Sequence, residues 1–510
     1  MATRTTLSFK NAQIALFFYF INLILRFFSR KIFLDYLGAE VLGLNTTAQN
    51  LLGFLNIAEL GIGAAVSYTL YTPLYNKDFK TINEIVSLQG WLYRNVAYIV
   101  IVGACGLMCS FPWLFAKMEL PLWYAYGSFL VFLYSSLLGY FVNYKQILFS
   151  ADQKEYKNTI HIQGWGFCKV ILQICAICYL KNGYVWWMIL EIVMSTLTSI
   201  TLNKNINKEY QWLKTSTKAG NKLRKKYPEI VTKIKQVFFH KIAGLVLTQT
   251  SPIIIYAYTS LTLVAIYGNY MQIIIGITML MQALFNSIVA GIGNLIAENN
   301  KEKIKSFFWE LTLLRLFIAA IICFTTYKVA HIFIAVWIGQ EYILDQNAFT
   351  LLCLITFITL TRTCDLFLSA YGMYQDIAAP IIETVLNLGF SILLGYHWGL
   401  TGILSGVLIS LFVIVVCWKP YFLYHSGFKQ KISEYILRYN KYIFLLLGGG
   451  FMTSWILKLL YPNITYSYTF FVSYSLSCII VYTGISAFLL YFMDNSMRNL
   501  FKRAKKLLKK

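Results

Sequence analysis

Charge is scarce in this sequence and acid scarcer still: 13% of the 510 residues are Asp, Glu, Lys or Arg, with 21 acids against 44 bases. A chain so poor in charge is not one soluble domain with a polar surface. Clustered metal ligands are missing too, for the five histidines, His161, His240, His331, His397 and His425, stand apart and predict no metal site. Ten cysteines are scattered through apolar runs. Cys175 and Cys178 in QICAICYL keep CxxC spacing, but with no redox loop or further ligands around them they read as small packing residues. No small-residue cleavage site follows the apolar run after MATRTTLSFKNAQ, so the first span is expected to stay in the mature chain. Long outer loops are lacking as well, and the basic loop inside is too short for a folded module. That leaves no room for a folded basic module to bind nucleic acid, or for an outer domain bearing catalytic carboxylates or histidines, and the chain is not expected to be an enzyme.

What is there is apolar: 58% of the residues are hydrophobic and 17% aromatic. A helical span needs about 20 residues. Fourteen segments qualify, at 12–36, 41–72, 90–115, 121–148, 158–180, 184–203, 233–257, 261–296, 306–335, 347–371, 377–396, 400–424, 440–460 and 467–493. The second, eighth and ninth exceed one bilayer thickness and are expected to tilt, kink or project. With an N-terminus inside, the basic residues gather in the inner segments, while the outer loops hold only Lys117, Lys181 and Lys458. Cytoplasmic retention of Lys and Arg then predicts both termini in the cytoplasm. The net charge of +23 accordingly reports topology and contact with anionic membrane lipid, not nucleic acid.

An internal repeat organises the spans. GLNTTAQNLLGFLNIAELGIGAAVSYTLYTPLYNKDFKTI aligns without gaps on YGNYMQIIIGITMLMQALFNSIVAGIGNLIAENNKEKIKS at a shift of 224 residues, matching Asn45 to Asn269 and Asn76-Lys77 to Asn300-Lys301. Six spans separate the copies, so the repeat is parallel. The expected fold is an all-α integral membrane protein of about fourteen transmembrane helices, two six-helix bundles and a C-terminal helix pair. In order these are an N-terminal lobe at 1–203, a basic cytoplasmic linker at 204–232, a C-terminal lobe at 233–425, the pair at 426–493 and a basic tail at 494–510.

Ionisable residues inside spans mark candidate function, because hydrocarbon tolerates them poorly. Arg26 and Arg30, four apart, share a helical face, and Arg26 lies past the midpoint of the first span. Lys31 is turned away by about 100° and can snorkel to outer head groups. Lys169 and Arg315 fall near mid-span, whereas Arg94 and Lys241 lie close to the cytoplasmic end and are expected to snorkel. Arg362 and Asp365, three apart, can neutralise each other. Glu59 in AELGIG is open to three readings: charge balance for Arg26 or Arg30, a coupling proton site, or a structural partner. Pro252 interrupts the ladder of the seventh span, as a hinge or as a static kink.

RFFSRKIFLDYLGAEVLGLN, LNIAELGIGAAVSYTLYTPL, ADQKEY, FFHKIAGLVLTQTSPIII and AVWIGQEYIL together resemble the polysaccharide transporter (Wzx-type) flippases of the multidrug/oligosaccharidyl-lipid/polysaccharide (MOP) exporter superfamily, from about residue 10 to 425. The resemblance implies transport of undecaprenyl-diphosphate-linked oligosaccharide from the inner to the outer leaflet of a bacterial plasma membrane, for O-antigen, capsule or exopolysaccharide. It also implies glycosyltransferases and a polymerase as neighbours in the pathway. Members commonly carry an acid in the seventh span near Gln249, Thr250 and Ser251, and here there is none, so the coupling ion, H+ or Na+, stays open. Arg26, Arg30, Lys169 and Arg315 are the expected diphosphate ligands, since a guanidinium fork holds phosphate oxygens bidentately and the Lys169 ammonium acts as a point charge. A MOP-type drug or cation antiporter is the second reading and would be expected to line its path with acids. A membrane polymerase or glycosyltransferase is the third.

Overall fold

A computed structural model describes residues 4–59, 61–286, 288, 292–293, 295–296, 300–371, 373, 376 and 378–500, some by backbone alone. Among these residues every regular element is helical. Nine helices are long and apolar enough to cross a membrane, and a tenth arises if Trp123–Phe141 and Asn143–Ala151, bent by 61°, count as one span. Among the described residues the nine differ from the expected fourteen because Ala378–Phe428 counts once where two spans are expected, and because Arg4–Leu55 and Pro228–Tyr258, which carry expected spans, are not among them. Gly38, at φ 83°, kinks the 52-residue helix α1 (Arg4–Leu55), and Gly399, at φ 55°, kinks Ala378–Leu411. Only glycine takes such positive φ angles without steric cost. Each kinked helix therefore holds one expected span and the first part of the next. The expected second span, 41–72, is interrupted by a 3-10 turn at Asn56–Glu59, beyond which α2 (Ile62–Asn76) carries the rest of it. With α9 (Pro228–Tyr258), every expected span has a helical counterpart.

Contacts divide the chain into two compact units, Met1–Ala265 and Ile266–Lys510. The first unit contains α1, α2, α3 (Phe79–Leu114), α4 (Trp123–Phe141), α5 (Ile147–Ala151), α6 (Glu155–Tyr179), α7 (Gly183–Glu209), α8 (Gly220–Lys226) and α9. Helix α9 packs on α1 and α2 and so falls in this unit, although the repeat assigns its span to the second lobe. The basic linker at 204–232 is no free loop. Asn83 of α3 donates to Trp212 O and accepts from Lys214 N, Ser87 accepts from Ser216 N, and Trp212 lies on Phe79 with ring centroids 4.5 Å apart. Leu223 and Ile230 are buried, while Lys214, Lys218, Lys222, Arg224 and Lys225 stay exposed. The linker sequence thus reads as amphipathic once a packing surface exists for its few apolar residues.

After α10 (Leu261–Asn286), which crosses the division, the second unit is built on α11 (Lys301–Trp337). Its core gathers Phe308, Trp309, Leu313, Leu316, Phe367, Tyr424 and Tyr442. In hydrocarbon such packing stabilises through van der Waals contact and not through release of water. The tenth span is broken into α12 (Gln346–Leu360) and α13 (Thr363–Ala370). Helix α14 (Ala378–Leu411) folds back on itself at Gly399, and its arms meet at glycines: a Cβ on Gly402 would lie 2.0 Å from Leu394 O, and one on Gly406 2.3 Å from Ser391 N. These are the close approaches that small residues permit between membrane helices. Wide π-type turns, Phe412–Trp418 and Leu423–Phe428, flank the short α15 (Lys419–Phe422), where Pro420, without an N–H, cannot complete the ordinary ladder.

The terminal pair, α16 (Ser433–Leu460) and α17 (Tyr468–Met493), packs together and on α11. Just beyond α17, Asp494 accepts from Ser496 N at 2.8 Å and pairs with Arg438 at 3.3 Å and Lys441 at 3.6 Å. Burial opposes its charge, but the Ser496 N–H and Arg438 prevail and hold the carboxyl below its ordinary range. A carboxyl depressed in the folded state contributes stability above its unfolded pKa, about 3.9, and loses it as pH falls through the lower folded value. In detergent, the melting temperature should therefore drop below about pH 4 more steeply for the wild type than for Asp494→Asn. Parallel curves would exclude this contribution. Residues 501–510, most of the basic tail, lie outside the described residues.

Candidate functional site

In the first arm of α1 the sequence spacing generates two exposed faces. Phe17, Phe20, Ile24 and Phe28 recur at three or four residues and form an exposed apolar stripe suited to lipid. Arg26 is exposed too, yet it stands two residues from both Ile24 and Phe28, about 200° around the helix. A guanidinium at this depth cannot face hydrocarbon cheaply. The face of α1 that carries Arg26 is the one opposite its apolar stripe. Arg26 has no hydrogen-bond or ion-pair partner among the described residues.

The other expected ligands are engaged. Arg30, half-buried, donates from Nη2 to Ala265 O at 3.1 Å in the first turn of α10, and Lys31 is half-buried beside it. Lys169 pairs with Glu191 at 2.6 Å. Gln173 completes that group by donating to Glu191 Oε2 at 3.0 Å and to Trp187 O at 3.2 Å. Glu191, 7% exposed, is a residue the sequence reading passed over. The register could have revealed it, because α6 and α7 are joined by a tight turn and both residues stand about two to three turns from it.

Arg315, 6% exposed, serves the break in the tenth span: Nε donates to Leu360 O at 3.1 Å and Nη1 to Arg362 O at 3.0 Å, with Phe285 stacked 4.9 Å away. A helix interrupted within a membrane leaves carbonyls that must find donors inside the protein. Arg362 and Asp365 do pair, at 2.7 Å, but within a larger group: Asp365 also binds Lys419 at 2.5 Å, and Glu383 lies 3.9 Å from Arg362. Lys419 was likewise passed over, for it falls near the end of its expected span, 400–424, where a snorkelling lysine attracts no notice.

Glu59 accepts from Tyr93 OH at 3.1 Å, and among the described residues no ion pair joins it to Arg26 or Arg30. Arg94 donates to Thr217 Oγ1 at 2.8 Å, tying α3 to the docked linker. Pro252 is buried within α9, which runs helical from Pro228 to Tyr258. The side chains of Lys241 and Gln249 lie outside the described residues. Of the expected cations with described side chains, Arg26 and Lys31 have no protein partner among the described residues, and of these two Arg26 is exposed and Lys31 half-buried.

No family model matches the chain, and no curated protein sequence matches it. Solved structures do. A lipid II flippase, MurJ, in an inward closed conformation superimposes with TM-score 0.68 over 95% of this chain and 99% of that one, at 14% identity. An inward-facing multidrug resistance MATE family transporter of the MOP superfamily superimposes with TM-score 0.58 over 83% of this chain and 99% of that one, also at 14% identity. At such identity the likeness is one of fold, and it bears out the expected class: the chain is an all-helical, multi-pass membrane protein with the fold of MOP-superfamily transporters.

Proposed function

We propose that this chain is a flippase that carries undecaprenyl-diphosphate-linked oligosaccharide from the inner to the outer leaflet of a bacterial plasma membrane, with both termini in the cytoplasm, for assembly of a surface polysaccharide. The observation that carries the reading is Arg26, an exposed guanidinium at membrane depth on the side of α1 turned away from its apolar stripe. Such a group offers a diphosphate a planar fork of donors where hydrocarbon offers none. A cationic drug would meet repulsion there. The fold supports the reading as well, since it is shared with a lipid II flippase. Lys169 and Arg315, held by Glu191 and by backbone carbonyls, take supporting places instead of direct ones. Glycosyltransferases would supply the cargo and a polymerase would consume it.

Deletion of the gene should leave completed lipid-linked oligosaccharide at the inner leaflet, because flipping precedes external polymerisation. Extraction of the lipid pool, with leaflet assignment by an impermeant sugar-modifying reagent, measures this. Failure to make the oligosaccharide at all would instead indicate an enzyme of its synthesis.

A further inference from the structure

One turn below Arg26 on the same face of α1, Asn22 donates from Nδ2 to Gln163 Oε1 of α6 at 2.8 Å. The two helices run in parallel from a common base. Asn11 there donates to Gln153 O at 2.9 Å and accepts from Tyr156 N at 2.8 Å. Asn22 lies eleven residues, about 16 Å, above this base, so the amide pair stands well inside the apolar layer. Gln163 is nonetheless exposed, and among the described residues neither amide has another polar partner. The pair leaves Asn22 Oδ1 and its second N–H, with both N–H groups of Gln163, unused. Unsatisfied amide groups facing lipid would be costly. On the next turn of α6, Gly166 has no atom within 4 Å of where a Cβ would stand, so space remains open above Gln163 and level with Arg26.

A sugar ring presents hydroxyls that both donate and accept, and it demands such a mixed set of partners in a confined space. We infer that the Asn22–Gln163 pair is a sugar-hydroxyl subsite of the first unit, holding the first residue of the cargo while Arg26 holds its diphosphate. The inference rests on the flippase reading and names what that reading leaves open, the group that distinguishes glycosylated from bare carrier.

The test uses the purified full-length protein with two probes, undecaprenyl diphosphate and undecaprenyl-diphosphoryl-N-acetylglucosamine, their affinities measured by native mass spectrometry. The wild type should bind the glycosylated probe about threefold to tenfold more tightly, the worth of one or two hydrogen bonds. Gln163→Ala and Asn22→Ala should bring the ratio of the two affinities to about one. The exchange Asn22→Gln with Gln163→Asn keeps an interhelical amide pair for folding but displaces its free groups, and it should also lower the ratio. An unchanged ratio in these variants, or a wild type with no preference, would overturn the subsite and reduce the pair to a helix–helix bond. Bare undecaprenyl diphosphate bound equally well by wild type and Arg26→Ala would instead remove the head-group site, a separate failure with its own readout.

Discussion

Arg26→Ala should abolish transport while folded protein persists in the membrane at the wild-type level. The guanidinium is exposed and has no partner among the described residues, so its removal breaks no bond that holds α1 in place. A surface substitution away from packing contacts changes stability by about 0.5 kcal/mol or less. Its loss from a cargo path removes the fork that replaces water around two phosphates, and charge-assisted hydrogen bonds contribute about 1.5–3 kcal/mol each. A fall in transport of at least about tenfold follows. Arg26→Lys should recover part of the activity, because it keeps the charge and loses the bidentate geometry. Arg30→Ala should differ in kind, lowering folded protein as well as transport, since Arg30 Nη2 is bonded to Ala265 O. Complementation scored for surface polysaccharide, with the membrane level of each variant measured alongside, separates the two effects. Full activity in Arg26→Ala would take this cation out of the mechanism.

Asp365→Ala should produce the largest loss of folded protein of any single charge substitution in the second unit. Asp365 lies between Arg362 and Lys419, at 2.7 Å and 2.5 Å, and its removal leaves two cations facing each other inside the spans with Glu383 only 3.9 Å from one of them. Breaking a buried pair by deleting one partner costs about 3–5 kcal/mol, and the partial exposure of these side chains places this group toward the lower end, about 3 kcal/mol. Combining the change with Lys419→Met should restore part of the loss, because one of the two orphaned cations goes with it. Thermal unfolding in detergent, followed by size-exclusion profile, reads both. Equal melting temperatures for wild type and Asp365→Ala would mean that water reaches this group freely.

The spans were legible because hydrocarbon imposes length and composition so strictly: among the described residues each expected segment meets a helix or a pair of helical pieces, while most of 287–296, the end of the eighth, lies outside them. Their joints were less legible. A glycine in DYLGAEV or HWGLTG reads as an ordinary packing residue, and only a local φ of 83° or 55° turns it into a kink inside a continuous helix. The break of the tenth span falls at Thr361–Arg362 with neither proline nor glycine, so nothing in TLTRTCD announces the carbonyls that Arg315 serves. Position within a span identified Lys169 and Arg315 as exceptional, but it could not say whether the protein itself supplies their counter-groups. For Lys169 the answer was within reach in the hairpin register, and for Arg315 it was not. Arg26 stood out by its depth in the first span, but Leu23, Leu25 and Phe27 make that stretch apolar all round, so only the exposure of Phe20, Ile24 and Phe28 reveals the stripe it faces away from. The amide of Gln163 gave no such signal, for its partner lies 141 residues away.

The central claim is movement of a diphosphate-linked sugar between leaflets, and proteoliposomes test it without a cell. Purified protein reconstituted with fluorescent undecaprenyl-diphosphate-linked oligosaccharide in the outer leaflet should protect about half of the probe from an impermeant lectin or periodate, in a time course that protein-free liposomes and Arg26→Ala do not share. Probe that stays fully accessible in wild-type proteoliposomes, or becomes protected equally fast with Arg26→Ala, would contradict the account.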